Sequence, residues 1–279
     1  MAEFELPAND VNKYQVQDGS RDEAMLKTMQ DIVNNTGGTR ANEAKVSKWG
    51  FNNDVDAATG EEIIASWGGV FNPLTDVIQT AQTLTITYNQ ATDGAGQTGA
   101  RMLLISYLDA NNAAATAYHT LGSDGSDVTA FTCLGVNRAV AVQFGASATN
   151  VNDITFTATT DTTIQARIPA LESVTQQCIY HIPISRTLDL EFINVSTIKL
   201  AGGSKPEVII KGYSFSRVTR GRYNVIDLNI DLAVENNVPI YYGSNPITFT
   251  GREVIYFTCD TDTDNAKISM RFAGTEYDS

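Results

Sequence analysis

The feature that most constrains this chain is a long succession of short segments that alternate apolar and polar residues with a period of two. Leu84–Tyr88, Met102–Leu108, Ala139–Phe144, Ile154–Ala158 and Ile164–Ile168 form a first group. Cys178–Ile182, Leu188–Val195, Val208–Phe215, Val225–Val234, Ile247–Phe249, Glu253–Cys259 and Ile268–Phe272 form a second. Each is rich in β-branched or aromatic residues that suit a pleated, half-buried surface, and Gly, Asn, Asp and Thr bracket each one as turn signals. No helical stripe lies between them, which argues against alternating βαβ units. The pattern predicts a mainly β protein of antiparallel β-sandwich or jelly-roll units.

The first 48 residues read differently. Met1–Gln17 has no hydrophobic period, and Phe4 and Leu6 stand isolated among charges, as in an arm that gains order only against a partner. Ser20 and Glu23 then form a capping box, Met25, Met29, Ile32 and Val33 follow on one stripe, and Gly37-Gly38 closes the segment. This predicts one short helix over about Arg21–Asn34, docked either on its own chain or on a neighbouring subunit. The expected organisation is an arm and helix over 1–48, a first sandwich region over 49–170 and a second over 171–279, with a soft boundary at Pro169–Val174.

A chain of 279 residues can bury roughly 75% of its unfolded surface without staples. Cys133, Cys178 and Cys259 are odd in number and sit on apolar, strand-like stretches, so they read as free, buried thiols. Cys178 and His181 are three apart, which places them on opposite faces of a strand, a poor arrangement for an activated thiolate. The opening MAEFELPAND lacks the basic and apolar regions of a secretion signal, and no apolar run reaches the ~20 residues of a membrane span, so synthesis in the cytoplasm is expected. The sequons at Asn34 and Asn194 then read as chance matches. A net charge of −13, from 32 acidic and 19 basic residues, opposes binding to nucleic acid or anionic membrane.

No catalytic or cofactor-binding residue is assigned. Gly94-Ala-Gly-Gln-Thr-Gly99 has the letters of a dinucleotide fingerprint, but a strand pattern follows it where a helix is needed, so it reads as a hairpin loop. Asp260, Asp262 and Asp264 resemble the start of a calcium loop, yet Asn265 stands where Gly is required and Arg271 where the bidentate Glu is required. Only His119 and His181 could serve as triad bases, and no Gly-x-Ser-x-Gly elbow occurs. The sequence around Tyr213, Phe215, Arg217, Arg220, Arg222 and Tyr223 is the one basic cluster with interleaved aromatics, read as a contact for an acidic partner surface or another copy of this chain. A sugar-binding module, with Trp49, Trp67, Tyr241 and Tyr242 as a stacking platform, is an alternative of a different class.

Several stretches carry a resemblance. Trp49-Gly-Phe-Asn-Asn-Asp-Val-Asp56, Glu61-Glu-Ile-Ile64 and Trp67-Gly-Gly69 resemble the opening of a group of tailed-bacteriophage virion proteins found in marine and cyanobacterial phages. Gly99-Ala-Arg101 leading to Leu108-Asp-Ala-Asn111, Gln176–Pro183 and the stretch Ile255–Gly274 are similar to later parts of the same pattern, from which residues 115–122 depart. The resemblance implies a β-sandwich structural component of the particle. It would be a homo-oligomeric capsid decoration or cement protein, a trimer contacting the major capsid protein; a tail, collar or baseplate adaptor is the alternative. It implies no enzyme and no cofactor.

Overall fold

The computed structural model describes residues 42–198, 207–231, 237–243, 245–262 and 264–279. Among them are four antiparallel sheets. Sheet 1 runs β1 (Ala44–Val55), β17 (Ala266–Asp278), β11 (Arg186–Ile198), β14 (Asn237–Tyr241), with β15 (Ile247–Thr250) also on β11. Sheet 2 runs β10 (Ile179–His181), β16 (Glu253–Thr261), β12 (Glu207–Ser216), β13 (Arg222–Asp231), with β2 (Glu62–Ile63) on β16. Sheet 3 runs β6 (Ser126–Val128), β3 (Leu84–Thr87), β8 (Ile154–Ala158), β9 (Ile164–Ile168), and sheet 4 runs β5 (Ala114–Thr120), β4 (Ala100–Leu108), β7 (Gly135–Phe144). One short helix, α1 (Pro73–Asp76), starts where the Asn72 side chain accepts from the Leu74 amide and proline occupies the first turn.

Sheets 3 and 4 use only residues between Leu84 and Ile168, whereas β1 and β2 leave the early part of the chain and pair with β17 and β16. The register Trp49↔Arg271 and Gly50↔Met270 therefore ties the first described strand to the last. Residues 44–277 and Ser279 form one compact unit. The remaining unit, residues 1–43 with Asp278, is described only at its edge, where the Asn42 side-chain amide donates to the Asp278 carboxylate at 2.6 Å.

Burial follows the period of two. One core cluster draws Leu188, Leu190, Ile268 and Phe272 from sheet 1 and Val208, Ile210, Ile255 and Phe257 from sheet 2. A second draws Leu84, Ile86, Phe156 and Ile168 from sheet 3 and Leu103, Ile105, Val136 and Ala139 from sheet 4. A third lies under Tyr213, Phe215, Val254 and Tyr256 of sheet 2, where Ile63, Ala65 and Val77 cover it with Trp67 and Phe71 packed alongside. Each apolar side chain so placed contributes on the order of 2 kcal/mol by leaving water.

Every segment expected as a strand contains one. Four strands longer than two residues that pattern reading passes over, β1, β5, β6 and β14, lie at sheet edges. The expected arm and helix, with Phe4, Leu6, Met25, Met29 and Ile32, lie outside the described residues. The strand run begins at Ala44, five positions before Trp49. Gly94–Gly99 does not join two neighbouring strands of one hairpin; it carries the chain from β3 in sheet 3 to β4 in sheet 4.

Candidate functional site

Several of the stretches that carry the phage resemblance, those at 49–56, 61–64, 67–69 and 176–183, meet in space. Asn52 on β1 is buried and donates to Glu62 Oε2 at 3.3 Å and to the Ile63 carbonyl at 3.2 Å. Glu62 is itself buried, and accepts from the Asp56 amide at 2.9 Å and the Gly69 amide at 3.0 Å. Gly50 has no room for a side chain: a Cβ there would stand 2.4 Å from the Ile64 carbonyl oxygen and 2.6 Å from the Cys178 amide. These residues form a structural joint between β1, the segment 61–69 and the entry to β10. Glu62→Gln keeps the volume but replaces one acceptor oxygen with a donor facing an amide. It is expected to cost about 1–2 kcal/mol in urea unfolding.

A second polar seam crosses β1, β7, β10 and the end of β12. The buried Lys48 ammonium donates to the Asn137 carbonyl, and the Asn137 side chain bonds both the His181 amide (2.8 Å) and its carbonyl (2.9 Å). Arg217 donates to the carbonyls of Ile78 and Leu134, the latter at 2.7 Å, and its Nη2 lies 2.8 Å from His181 Nδ1. A guanidinium only donates, so Nδ1 accepts and the imidazole is neutral with its proton on Nε2. Burial first, and then the Arg217 and Lys48 charges, push the His181 pKa well below its ordinary value. Burial likewise lowers Lys48 to about 8, opposed by Cys178 and helped by the Arg138 charge. Burial also raises the Cys133 and Cys178 thiols to about 12 and Cys259 well above its ordinary value, so none is a ready nucleophile. Cys178 points into the core under sheets 1 and 2 while His181 meets Arg217.

The three arginines expected to act together are used separately. Arg217 is bonded inside this seam; Arg220 donates to the Leu74 carbonyl at 3.3 Å; Arg222 stacks 3.7 Å over the Tyr213 ring and pairs with Glu61 at 3.2 Å. Glu61, absent from the expected site residues, is the centre of that last group, taking Lys211 at 2.5 Å and the Tyr213 hydroxyl at 2.8 Å. Burial alone would raise its pKa, but the Lys211 and Tyr213 hydrogen bonds and the Lys211 and Arg222 charges outweigh it and hold the carboxyl low. Asp260 and Asp262 accept from the Thr261 and Glu207 amides, while Asp264 accepts from the Ala57 amide. Among the described residues no group of three or more His, Cys, Asp or Glu side chains stands together as a metal site.

The outer surface shows a different regularity. The exposed large aromatics among the described residues are Trp49 (39%), Tyr118 (70%), Tyr223 (56%) and Tyr241 (75%). They sit on β1, β5, β13 and β14, and each of those strands is at the edge of its sheet. Tyr241 leans on Phe192 at 4.9 Å and the Trp49 indole donates to Ser269 Oγ at 2.7 Å, so both rings are held in place. Trp49 and Tyr241 are three strand spacings apart on sheet 1, roughly 14 Å. Trp67 packs on the third cluster and Tyr242 on the first, so the four rings expected as a sugar platform do not come together. Beside the first half of β1 opens a cleft of about 420 Å³, between that strand and the β4, β5 and β7 side chains of sheet 4.

Among the described residues no helix is long and apolar enough to cross a membrane. No protein-family model and no curated protein matches the chain. Solved structures with distant similarity include the infectious bursal disease virus VP2 subviral particle, at 9% identity, covering 90% of this chain and 78% of that one with a TM-score of 0.23. The T=1 particles derived from the same virus match at 10% identity over 89% and 74% with a TM-score of 0.21. The Gx strain structure matches at 9% over 88% and 81% with a TM-score of 0.20. Likenesses this slight carry no argument about what this chain does.

Proposed function

We propose that this chain is a non-catalytic structural protein of a virus particle that assembles with copies of itself through the edges of its sheets. The observation that carries the reading is the confinement of the exposed aromatics to edge strands. An open edge offers unpaired amides and carbonyls to another chain, and a held Tyr or Trp beside it supplies apolar contact area at low entropic cost, as at interface centres. On a lone monomer the same edges are an aggregation hazard, and a closed symmetric oligomer removes it. The motif resemblance supports a tailed-phage virion component built of two-sheet sandwich units; the form favoured here is a trimer that decorates or cements the head on the major capsid protein. The particle would be assembled in the host cytoplasm.

Two measurements test this. Sedimentation of the purified chain over a concentration series is expected to show a discrete oligomer, and immunogold microscopy of source particles with an antibody to residues 49–279 is expected to label the head. Gold at one vertex or along the tail would replace decoration with a tail or collar role. A monomer at every concentration, absent from purified particles by mass spectrometry, overturns the proposal.

A further inference from the structure

The cleft beside β1 combines three properties that together specify an occupant. First, it borders a free strand edge. Among the described residues β1 pairs with β17 on one side only, and on its other side the later half is covered, with Gly50 against Ile64 and Cys178 and Asn52 bonded to Ile63. The earlier half, Ala44–Lys48, faces the cleft. That is five residues, or roughly 16 Å of open strand. Second, the cleft is positively charged in a chain whose net charge is −13. Lys45, Lys48 and Arg138 line it against one carboxylate, Glu276, which is already held by Arg186 at 3.4 Å and the Tyr180 hydroxyl at 2.9 Å. Arg138 is exposed and has no hydrogen bond or ion pair among the described residues. Lys45 donates to the Thr275 hydroxyl and pairs with Glu191 at 3.3 Å at the surface, a kind of ion pair worth less than about 1 kcal/mol. Third, the cleft has apolar surface between these charges, from Val46, Tyr107, Ala114 and Ala115.

A strand that fits must be short, must carry acidic residues at alternate positions and must put apolar side chains between them. The chain's own opening has that pattern: Glu3 and Glu5 alternate with Phe4 and Leu6, and Pro7 follows, a residue that cannot continue a central ladder. Between Pro7 and Ala44 the chain can extend roughly 120 Å, which is long enough to reach a neighbouring molecule.

We propose that residues 2–7 of a second copy of this chain add to the free edge of β1 in this cleft, with Glu3 and Glu5 meeting Lys45 and Arg138 and with Phe4 and Leu6 on the apolar surface. This inference rests on the assembly reading above and names its contact. Main-chain hydrogen bonds to Ala44–Lys48 would give affinity, and the alternating side chains would give register, as in other strand-addition complexes.

The test uses full-length chains. Glu5→Cys protein is mixed with Ser47→Cys protein under mild oxidation; the three native thiols are buried, so only the introduced thiols react, only between molecules, and the mixed dimer is resolved by mass from the two homodimers. The expected result is a disulfide-linked dimer formed at least tenfold faster than when Glu5→Cys is mixed with Ser123→Cys, an exposed site outside the cleft. Cross-linking no faster than this control overturns the proposal, as does a chain carrying both Glu5→Cys and Ser47→Cys that closes only on itself. Lys45→Glu with Arg138→Glu should weaken self-association about tenfold, and adding Glu3→Lys with Glu5→Lys should restore it. Failure to restore in a protein that keeps its circular dichroism overturns the charge match. Control-level cross-linking by a chain that still sediments as an oligomer removes this contact and leaves the assembly reading standing; a chain that sediments as a monomer removes both.

Discussion

Replacing Asp93 with alanine is expected to lower the unfolding free energy by about 4 kcal/mol, read as a fall in the urea midpoint and roughly 10 °C in Tm. The Asp93 carboxylate is fully buried and accepts from the Ala100 amide at 2.8 Å, the Val151 amide at 3.0 Å and the Asn152 amide at 3.0 Å, with the Thr92 hydroxyl at 3.3 Å. One side chain therefore closes both the loop into β4 and the loop that precedes β8. Charge-assisted bonds of this kind are each stronger than neutral ones, and removing the acceptor leaves three buried amides without a partner. Asp93→Asn separates charge from shape: it fills the same volume but turns an NH₂ group toward amide donors. It should lose more than half as much stability as the alanine variant, and an asparagine variant as stable as the parent would show that the loops do not depend on the charge.

The same loop shows what the sequence made legible and what it hid. The letters of Gly94–Gly99 suggest a phosphate cradle, and the strand that follows argues against it. The actual use of the glycines depends on a residue just outside the motif. Gly94 and Gly96 have φ of +111° and +77°, and a Cβ on Gly99 would stand 2.2 Å from Asp93 Oδ1. The strands of the two main cores were legible because their inward positions are apolar and their period is local. β1 was not, because its inward positions include Lys48, Gly50 and Asn52, whose burial is compensated by Asn137, Glu62 and Ile63 on other segments. β5, AATAYHT, has no aliphatic residue larger than alanine, and β14 contains Pro239, so both read as loops although each is tolerated at a sheet edge. The arginine cluster failed as a single site for the same reason as β1. Nothing near Arg217 in sequence shows that the carbonyls of Ile78 and Leu134 will be brought to it.

That placement makes Arg217 the second position of large expected effect. Arg217→Met keeps the length of the side chain and removes every donor, leaving two carbonyls and His181 Nδ1 unsatisfied; the expected loss is about 3–4 kcal/mol. Arg217→Lys should recover little, because one ammonium cannot span acceptors that a planar fork reaches together. The pH dependence gives a readout that packing alone would not move. His181 has a folded pKa well below its unfolded value of about 6.5, so below that pH the unfolded chain takes up a proton that the native chain does not. Its contribution is therefore complete above about pH 6.5 and is lost as the pH falls, by up to about 1.4 kcal/mol for each unit until the folded pKa is reached. His181→Gln should flatten that part of the stability curve relative to the parent, leaving the slope due to carboxylates. Arg217→Met removes one of the charges that hold His181 neutral, so its curve should level off at a higher pH than the parent's. If the parent and both variants lose stability in parallel between pH 6.5 and 4.5, burial of neutral His181 against Arg217 is not what makes the fold acid-sensitive.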